Sequence, residues 1–510
     1  MLENYVKKIL NAKVYEAAVE TSLDPAPNLS NRLKNQVWIK REDLQPVFSF
    51  KLRGAYNKMA QLSDEQKAKG VVCASAGNHA QGLAQAAKIM NVKATIVMPK
   101  ATAEIKVKSV RARGGKVVLH GDSFEEAATY SRQLAEEKGY TYVHPYDDPE
   151  VIAGQGTIAR EIFHQTQEVD AIFVPVGGGG LIAGIAAYTK YIRPTTKVIG
   201  VEFEESACLK AAKEHNRRVT LSQVGIFAEG IAVAQIGAET WKVCKDYVDD
   251  VITVTADEIC AAIKDIFDDT RSVAETAGAV GVAGLKKYVE ENQINSQNLV
   301  AICSGANINF DRLRYVAERA EVGEHREAVF AVTIPEHPGS YQQFINVIGK
   351  RPVTEFNYRY TDGEVAQIFV GLQTSDLADR EHIAALLRKH DYPVLDLTDN
   401  DMAKSHVRHM VGGHSSIVEH EVIYRFEFPE RPGALMNFLK KLGGKFNISL
   451  FHYRNHGAAY GRVLCGMQVA PGDKKAFQSF LAELDYPYWE ETGNPAYQLF
   501  LANPNSFKPA

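Results

Sequence analysis

Between about residues 35 and 320, short apolar runs rich in β-branched residues alternate with longer stretches of helical period. GVVCAS (70–75), KATIVMP (93–99), KVVLHG (116–121), AIFVPV (171–176), KVIGVEF (197–203), VDDVITV (248–254) and LVAICSG (299–305) read as strands. Each lies near a segment of helical pattern, such as HAQGLAQAAKIM after the first and SFEEAATYSRQLAEEKG after the third. Ser123 with Glu126, and Thr255 with Glu258, have the three-residue spacing of a capping box at a helix start. Apolar strands alternating with helices imply parallel sheets covered on both faces, an α/β architecture. In such sheets ligands gather beyond the carboxyl ends of the strands.

The pattern changes in the last 180 or so residues, where the chain repeats itself. AVFAVTIPEHPGSYQQFINVIG (328–349) is echoed by VIYRFEFPERPGALMNFLKKLG (422–443), FNYRY (356–360) by LFHYR (450–454), and IFVGLQ (368–373) by VLCGMQ (463–468). Each copy reads strand, turn, helix, strand, turn, strand, helix, strand, a small α+β module. RAEVGEHRE (319–327) joins body and tail as a charged segment of helical tendency, expected to be a solvated helix end. SHVRHMVGGHSSIVEHE (405–421) joins the two copies. Its His406, His409, His414 and His420 are irregularly spaced, so a polar connector is expected there rather than a metal site.

A chain of 510 residues exceeds what one core usually serves. Charge adds an exclusion: 58 Lys and Arg against 62 Asp and Glu leave a net −4, no footprint for nucleic acid or an anionic membrane. Small-molecule partners are expected instead. The six cysteines are scattered without a C-x-x-C pair, which suggests neither disulfides nor zinc and suits a cytoplasmic location. The first 22 residues mix acids and bases and do not resemble a targeting peptide, and no apolar run is long enough to span a bilayer.

Four loops carry candidate chemistry. SFKLRGA (49–55) sets Lys51 beside Phe50 and an expected Arg53–Gly54 turn; a lysine amine held in an apolar pocket loses basicity and becomes a Schiff-base nucleophile. VPVGGGGLIAG places Gly177, Gly178, Gly179 and Gly180 between a strand and a helix, a cup for a phosphate. It lacks both the G-K-[ST] of a P-loop and the G-x-G-x-x-G of a dinucleotide fold. SAGNHAQG (75–82) crowds Ser75, Gly77, Asn78 and His79 around a helix start, suited to a carboxylate or an oxyanion. CSGAN (303–307) puts the hydroxyl of Ser304 at a strand end.

SFKLRGAYNKM, SAGNHAQGLA, VPVGGGGLIAG and CSGAN, in this order, resemble the fold type II pyridoxal-phosphate enzymes, and most of all the threonine ammonia-lyases. The resemblance implies pyridoxal 5'-phosphate as cofactor and a catalytic body of two open α/β subdomains over residues 1–320. It implies that Lys51 holds the cofactor as a Schiff base and acts as general base, with Phe50 beside it. Gly177 to Leu181 would cradle the phosphate, Asn78 would bond the ring hydroxyl, and Ser304 would face the ring nitrogen. Ser75, Ala76, Gly77, Asn78 and His79 would hold the substrate carboxylate. The family's E-P-x-G-A is AETAGA here, with Glu275 kept and Thr276 in the proline position.

The duplicated tail resembles the paired ACT-like regulatory domains of the long, biosynthetic threonine ammonia-lyases, with a linker at 321–327, modules at 328–400 and 422–494, a connector at 401–421 and a C-terminal tail at 495–510. That likeness implies L-threonine as substrate, L-serine secondarily, L-isoleucine as inhibitor, L-valine as opposing activator, and a homotetramer. The effector is expected near Pro432, Gly433, Asn447 and Leu450. Serine dehydratase, serine racemase and threonine synthase share similar lysine and glycine motifs. An amino-acid sensor with a decayed body, and a nicotinamide dehydrogenase, are the readings from other classes.

Overall fold

The computed structural model describes residues 1–310, 312–359, 365–400, 403, 407–409, 415, 417–429, 434–454, 460–484, 486–494, 497 and 501–503. The chain divides into two compact units, Met1–Gly323 and Glu324–Ala510.

The first unit holds two sheets. In the larger, the strands lie in the order Leu23–Pro25, Gln36–Arg41, Asn298–Cys303, Ala171–Pro175, Lys197–Phe203, Asp250–Val254, all parallel except the first, an antiparallel edge. In the smaller, Lys116–Leu119, Ala94–Met98, Val71–Ala74 and Thr141–Tyr142 are all parallel. Every strand expected from the apolar runs forms. Gln36–Arg41 was hidden by its ending, since Lys40 and Arg41 are buried. Thr255 and Glu258 form a full capping box, whereas at Ser123 only half forms, because the Glu126 carboxylate turns to the N–H of Asp122.

The Arg53–Gly54 turn does not exist: Lys51 is the first residue of a helix that runs to Ala60. Gly54 serves close packing instead, since a Cβ there would lie 2.8 Å from the Val151 carbonyl of the helix Pro149–Gln165. Arg53 is fully buried. It donates to Glu42 through Nε and Nη2, both at 2.8 Å, and to Glu161 at 2.5 and 2.9 Å. Lys40, also fully buried, reaches Glu161 at 2.7 Å. Two cations and two carboxylates thus neutralise one another out of water, which is tolerable only while all four are present.

RAEVGEHRE is not a solvated helix end. The helix Arg312–Gly323 stays packed to its last residue: Arg319 and Val322 are buried, Arg319 pairs with Asp257 at 2.5 Å, and a Cβ on Gly323 would strike the Asp257 carbonyl.

In the second unit both copies fold as βαββαβ, and their strands join into one eight-stranded antiparallel sheet. The order is Val394–Asp396, Glu327–Pro335, Val365–Gln373, Val353–Arg359, Asn447–Arg454, Tyr460–Gln468, Glu421–Pro429, Tyr488–Glu490. The seam is the pairing of Val353–Arg359 with Asn447–Arg454, where Phe356 meets Phe451 edge to face at 5.5 Å. One apolar core collects side chains from the helices of both copies, including Phe344, Leu387, Phe438 and Phe480.

The copies match down to their polar details. Thr354 bonds Glu327, and its counterpart Ser449 bonds Glu421 at 2.5 Å. They differ at the next position, where Glu355 pairs with Gly371 but Leu450 pairs with Gly466. Arg408, between the copies, is buried against Glu355 at 2.9 Å and Glu327 at 3.3 Å, so this part of the polar connector is packed structure. Tyr497 bonds Glu421 at 2.7 Å. His406 and His414 lie outside the described residues; among those described, no cluster of His, Cys, Asp or Glu could hold a metal.

Replacing Arg53 with methionine strands two buried carboxylates on Lys40 alone. Arg53→Met is expected to cost about 3–5 kcal/mol, read from the denaturant midpoint of the cofactor-free protein.

Candidate active site

The four motif loops all follow the carboxyl ends of parallel strands, and hydrogen bonds tie three of them together. The N–H of Phe50 donates to Ser304 O at 3.3 Å, Ser49 bridges Gly305, and the N–H of Ala306 returns to Phe48 O at 2.9 Å. Asn307 Nδ2 donates to Asn78 Oδ1 at 2.7 Å, which joins the third loop. The glycine loop follows Ala171–Pro175, the strand paired with Asn298–Cys303.

The Lys51 amine donates to Pro145 O at 3.1 Å and lies 5.0 Å from the centre of the Phe50 ring. Burial pushes the amine down to about 8, against the opposing pull of the Glu275 carboxylate. Burial also pushes Glu275 up to about 7, although its bond from Asn78 Nδ2 at 2.5 Å acts the other way.

The glycine loop is a cradle with no room for side chains. A Cβ on Gly178 or Gly180 would strike Tyr146 at 2.3 or 2.9 Å, one on Gly177 would meet Ile231 at 2.9 Å, and Gly179 sits at φ +90°. The carbonyls turn into the protein: Gly178 O accepts from Thr240 Oγ1 at 2.8 Å and from the N–H of Gly237 at 3.2 Å, and Gly177 O from Cys208 Sγ at 3.4 Å. The helix Gly180–Ile192 begins there, with its unpartnered first N–H groups and positive dipole end at the loop, including that of Leu181. This fits a phosphate.

The SAGNHAQG loop opens the helix Asn78–Ile89. Ser75 Oγ accepts from the N–H groups of Gly77 and Ala80, both at 3.3 Å, which leaves its O–H to donate. The His79 ring is buried and turned away, with Nε2 2.9 Å from Val143 O; that carbonyl requires an N–H on Nε2. Burial pushes His79 down to about 3, so the ring is neutral and only its backbone N–H remains for an anion. Ser304 is buried, its hydroxyl making one long bond to Ala277 O at 3.4 Å.

An amine of lowered basicity, a phosphate cradle, a strand-end hydroxyl and an N–H-rich helix start thus converge as pyridoxal phosphate requires. A match to the family described as pyridoxal-phosphate dependent enzymes covers residues 14–305, and the C-terminal regulatory domain of threonine dehydratase matches twice, at 318–407 and 412–501. The chain is 56% identical over 503 residues to the L-threonine dehydratase biosynthetic IlvA of Burkholderia multivorans, covering 98% of this chain and 99% of that one. The chain belongs to the threonine dehydratases. Identity to the mitochondrial threonine dehydratase of Saccharomyces cerevisiae is 48%, over 98% of this chain and 89% of that one. The processed form of threonine deaminase isoform 2 from Solanum lycopersicum superposes with a TM-score of 0.62 at 50% identity, covering 62% of this chain and 93% of that chain. Maize serine racemase does so at 0.56 and 31%, covering 62% and 95%. As a threonine dehydratase the protein is a pyridoxal-phosphate-dependent lyase with regulatory domains.

Motif reading missed Pro145, Tyr146 and Asn307, and gave Glu275 no role. Only Asn307 lay within a quoted motif, and nothing in its spacing pointed to Asn78. Thr276, in the family's proline position, starts the helix Thr276–Asn292 without disturbing it: its hydroxyl donates to Phe227 O at 3.0 Å, and Glu275 before it sits at φ −71°, ψ 162°. Of the expected effector residues, Pro432 and Gly433 lie outside the described residues; Asn447 Nδ2 bonds Gln468 at 3.0 Å and Leu450 is fully buried.

Two outcomes follow from these environments. The extended backbone of Glu275 is what a residue before proline needs, so Thr276→Pro is expected to change stability by no more than ~1 kcal/mol, measured by urea unfolding. Lys51, with its folded pKa below its unfolded one, destabilises the cofactor-free protein at neutral pH, and that cost is relieved as pH rises from about 8 toward the unfolded value. Lys51→Met is expected to stabilise the cofactor-free protein by about 2 kcal/mol at pH 7 and to abolish the rise, as read by unfolding across pH.

Proposed function

We propose that the chain converts L-threonine to 2-oxobutanoate and ammonia by β-elimination, accepts L-serine as a secondary substrate, and works as a cytoplasmic homotetramer at the committed step of isoleucine biosynthesis. The observation that carries this reading is the near full-length likeness to biosynthetic threonine dehydratases, tail included; the serine racemase likeness spans only 62% of this chain. Six free, buried cysteines suit a reducing compartment.

Pyridoxal phosphate, when bound, supplies the electron sink that lets the Cα–H bond break. In this reading Lys51 Nζ holds the cofactor at rest and, once released, takes the Cα proton; an amine pushed down to about 8 reaches its neutral, proton-accepting form far more readily than a solvated lysine does. Phe50 and the buried surroundings keep water from that amine. Gly177, Gly178, Gly179, Gly180 and Leu181 anchor the phosphate. Asn78 holds the ring hydroxyl and Ser304 the ring nitrogen. The O–H of Ser75 and the N–H groups of Ala76, Gly77, Asn78 and His79 fix the substrate carboxylate, and so the angle of the Cα–H bond. The β-hydroxyl leaves as water, the proton it needs balanced by the one Lys51 takes from Cα. The resulting enamine takes up one water on hydrolysis, which balances threonine against 2-oxobutanoate and ammonia.

The two tail modules, 328–400 and 422–494, serve as ACT-like sensors in this reading: L-isoleucine inhibits, L-valine opposes it, and the effector lies near Pro432, Gly433, Asn447 and Leu450. Coupling requires that isoleucine bind a less active state more tightly.

The test is release of 2-oxobutanoate from L-threonine by the purified protein, with and without L-isoleucine. Turnover suppressed by isoleucine and relieved by valine is expected. Turnover indifferent to both removes the sensing role; no turnover with threonine or serine removes the catalytic one. Lys51→Ala is expected to lower turnover at least ~10³-fold with little loss of secondary structure by circular dichroism.

A further inference from the structure

An ordered relay of side chains runs beside Lys51. Asn307 Nδ2 donates both to Val47 O, at 2.8 Å, and to Asn78 Oδ1, at 2.7 Å; Asn78 Nδ2 in turn donates to Glu275 Oε1 at 2.5 Å. The direction of the relay is fixed at its far end. A backbone carbonyl only accepts, so Val47 draws the nitrogen of the Asn307 amide toward it. Asn78 must answer that nitrogen with its oxygen, and its own nitrogen is thereby turned to Glu275. One hydrogen of Asn78 Nδ2 is then taken, and one is left.

The ends of the relay belong to the loops that build the site. Val47 is four residues before Lys51, and Asn307 three after Ser304. Glu275 occupies the N-cap position of the helix Thr276–Asn292 with its carboxylate turned to Asn78 rather than to the helix, and its N–H donates to Gly305 O at 3.1 Å. Its approach depends on glycine: a Cβ on Gly305 would stand 2.7 Å from Glu275 Oε1, and one on Gly278 would stand 2.1 Å from Gly305 O. Glu275 is half-buried, and its carboxyl raises the basicity of the Lys51 amine.

We propose that Glu275 and Asn307 are positioning residues for the cofactor ring, acting through Asn78: between them they lock its amide so that the remaining Nδ2–H faces the ring oxygen. The proposal rests on the reading of Asn78 as a cofactor ligand. Without Asn307 the Asn78 amide is free to turn over, and without Glu275 its nitrogen loses the partner that holds it.

The test is the dissociation constant of pyridoxal phosphate and the absorbance maximum of the bound cofactor, both without substrate. Wild type is compared with Asn78→Ala, Asn307→Ser, Glu275→Ala and Glu275→Gln, and with each of the Asn307→Ser and Glu275→Ala changes combined with Asn78→Ala. Glu275→Ala and Asn307→Ser are each expected to weaken cofactor binding about tenfold, the equivalent of ~1.4 kcal/mol, and to shift the absorbance maximum. Glu275→Gln, which keeps an oxygen for Asn78 Nδ2, is expected to stay within about threefold of wild type. In the Asn78→Ala background both changes should fall below about twofold, since the group they act through is gone. Should Asn307→Ser fail to fold, the Glu275 variants decide alone. An Asn78→Ala protein that binds weakly while Glu275→Ala and Asn307→Ser bind as wild type overturns the proposal alone, as do losses of equal size with and without Asn78. An Asn78→Ala protein that binds cofactor as wild type does overturns the reading of Asn78 and the proposal with it.

Discussion

The site depends on holding Lys51 still where water is scarce, and the buried charges around Arg53 do this. Arg53 stands one residue beyond Leu52 on the first turn of the helix Lys51–Ala60 and spans Glu42 and Glu161, with Lys40 completing the neutral set. Glu42 follows the strand Gln36–Arg41, and Glu161 lies on the helix Pro149–Gln165. A single side chain therefore fixes the first turn against two other elements. Glycines at 54 and 154 allow the backbones to close on each other, and the Lys51 amine is delivered to its pocket at low side-chain entropy. The bond from the N–H of Phe50 to Ser304 O sets the same segment against the strand end that would face the cofactor ring.

Much of this was legible along the chain. Residues 171–175 and 299–303 are continuous apolar runs, and four glycines in a row after a strand have few uses other than backbone approach to an anion. What could not be read has a common cause, which is that burial inverts the usual meaning of charge. Arg53 beside Gly54 looks like a turn, and Lys40–Arg41 interrupts the apolar pattern of its strand; each is buried because a carboxylate neutralises it, for Lys40 and Arg53 one more than 100 residues along the chain. Asn78 and Glu275 are 197 residues apart and Asn78 and Asn307 are 229 apart, so no local spacing connects them. His79 shows the converse, a histidine in a functional loop whose ring is occupied by Val143 O.

In the tail, the duplication was plain from the repeated turn and strand motifs, but the fusion of both copies into one sheet was not, since it depends on two edge strands meeting in register. The two copies preserve the pair of a hydroxyl and a glutamate, Thr354 with Glu327 and Ser449 with Glu421, yet place Glu355 in one and Leu450 in the other. The exchange of Glu355 for Leu450 at equivalent buried positions gives the two copies unequal chemistry on a shared frame. The charged Glu355 is matched by Arg408, whereas the apolar Leu450 stands beside a glutamate bonded by Tyr497.

We propose that one lysine among many, Lys51 at the start of the helix Lys51–Ala60, is the attachment point of the cofactor. Borohydride reduction of the purified holoenzyme, followed by peptide mapping, tests it directly. A single phosphopyridoxyl-modified lysine, Lys51, is expected; modification of another lysine with Lys51 unmodified contradicts the assignment.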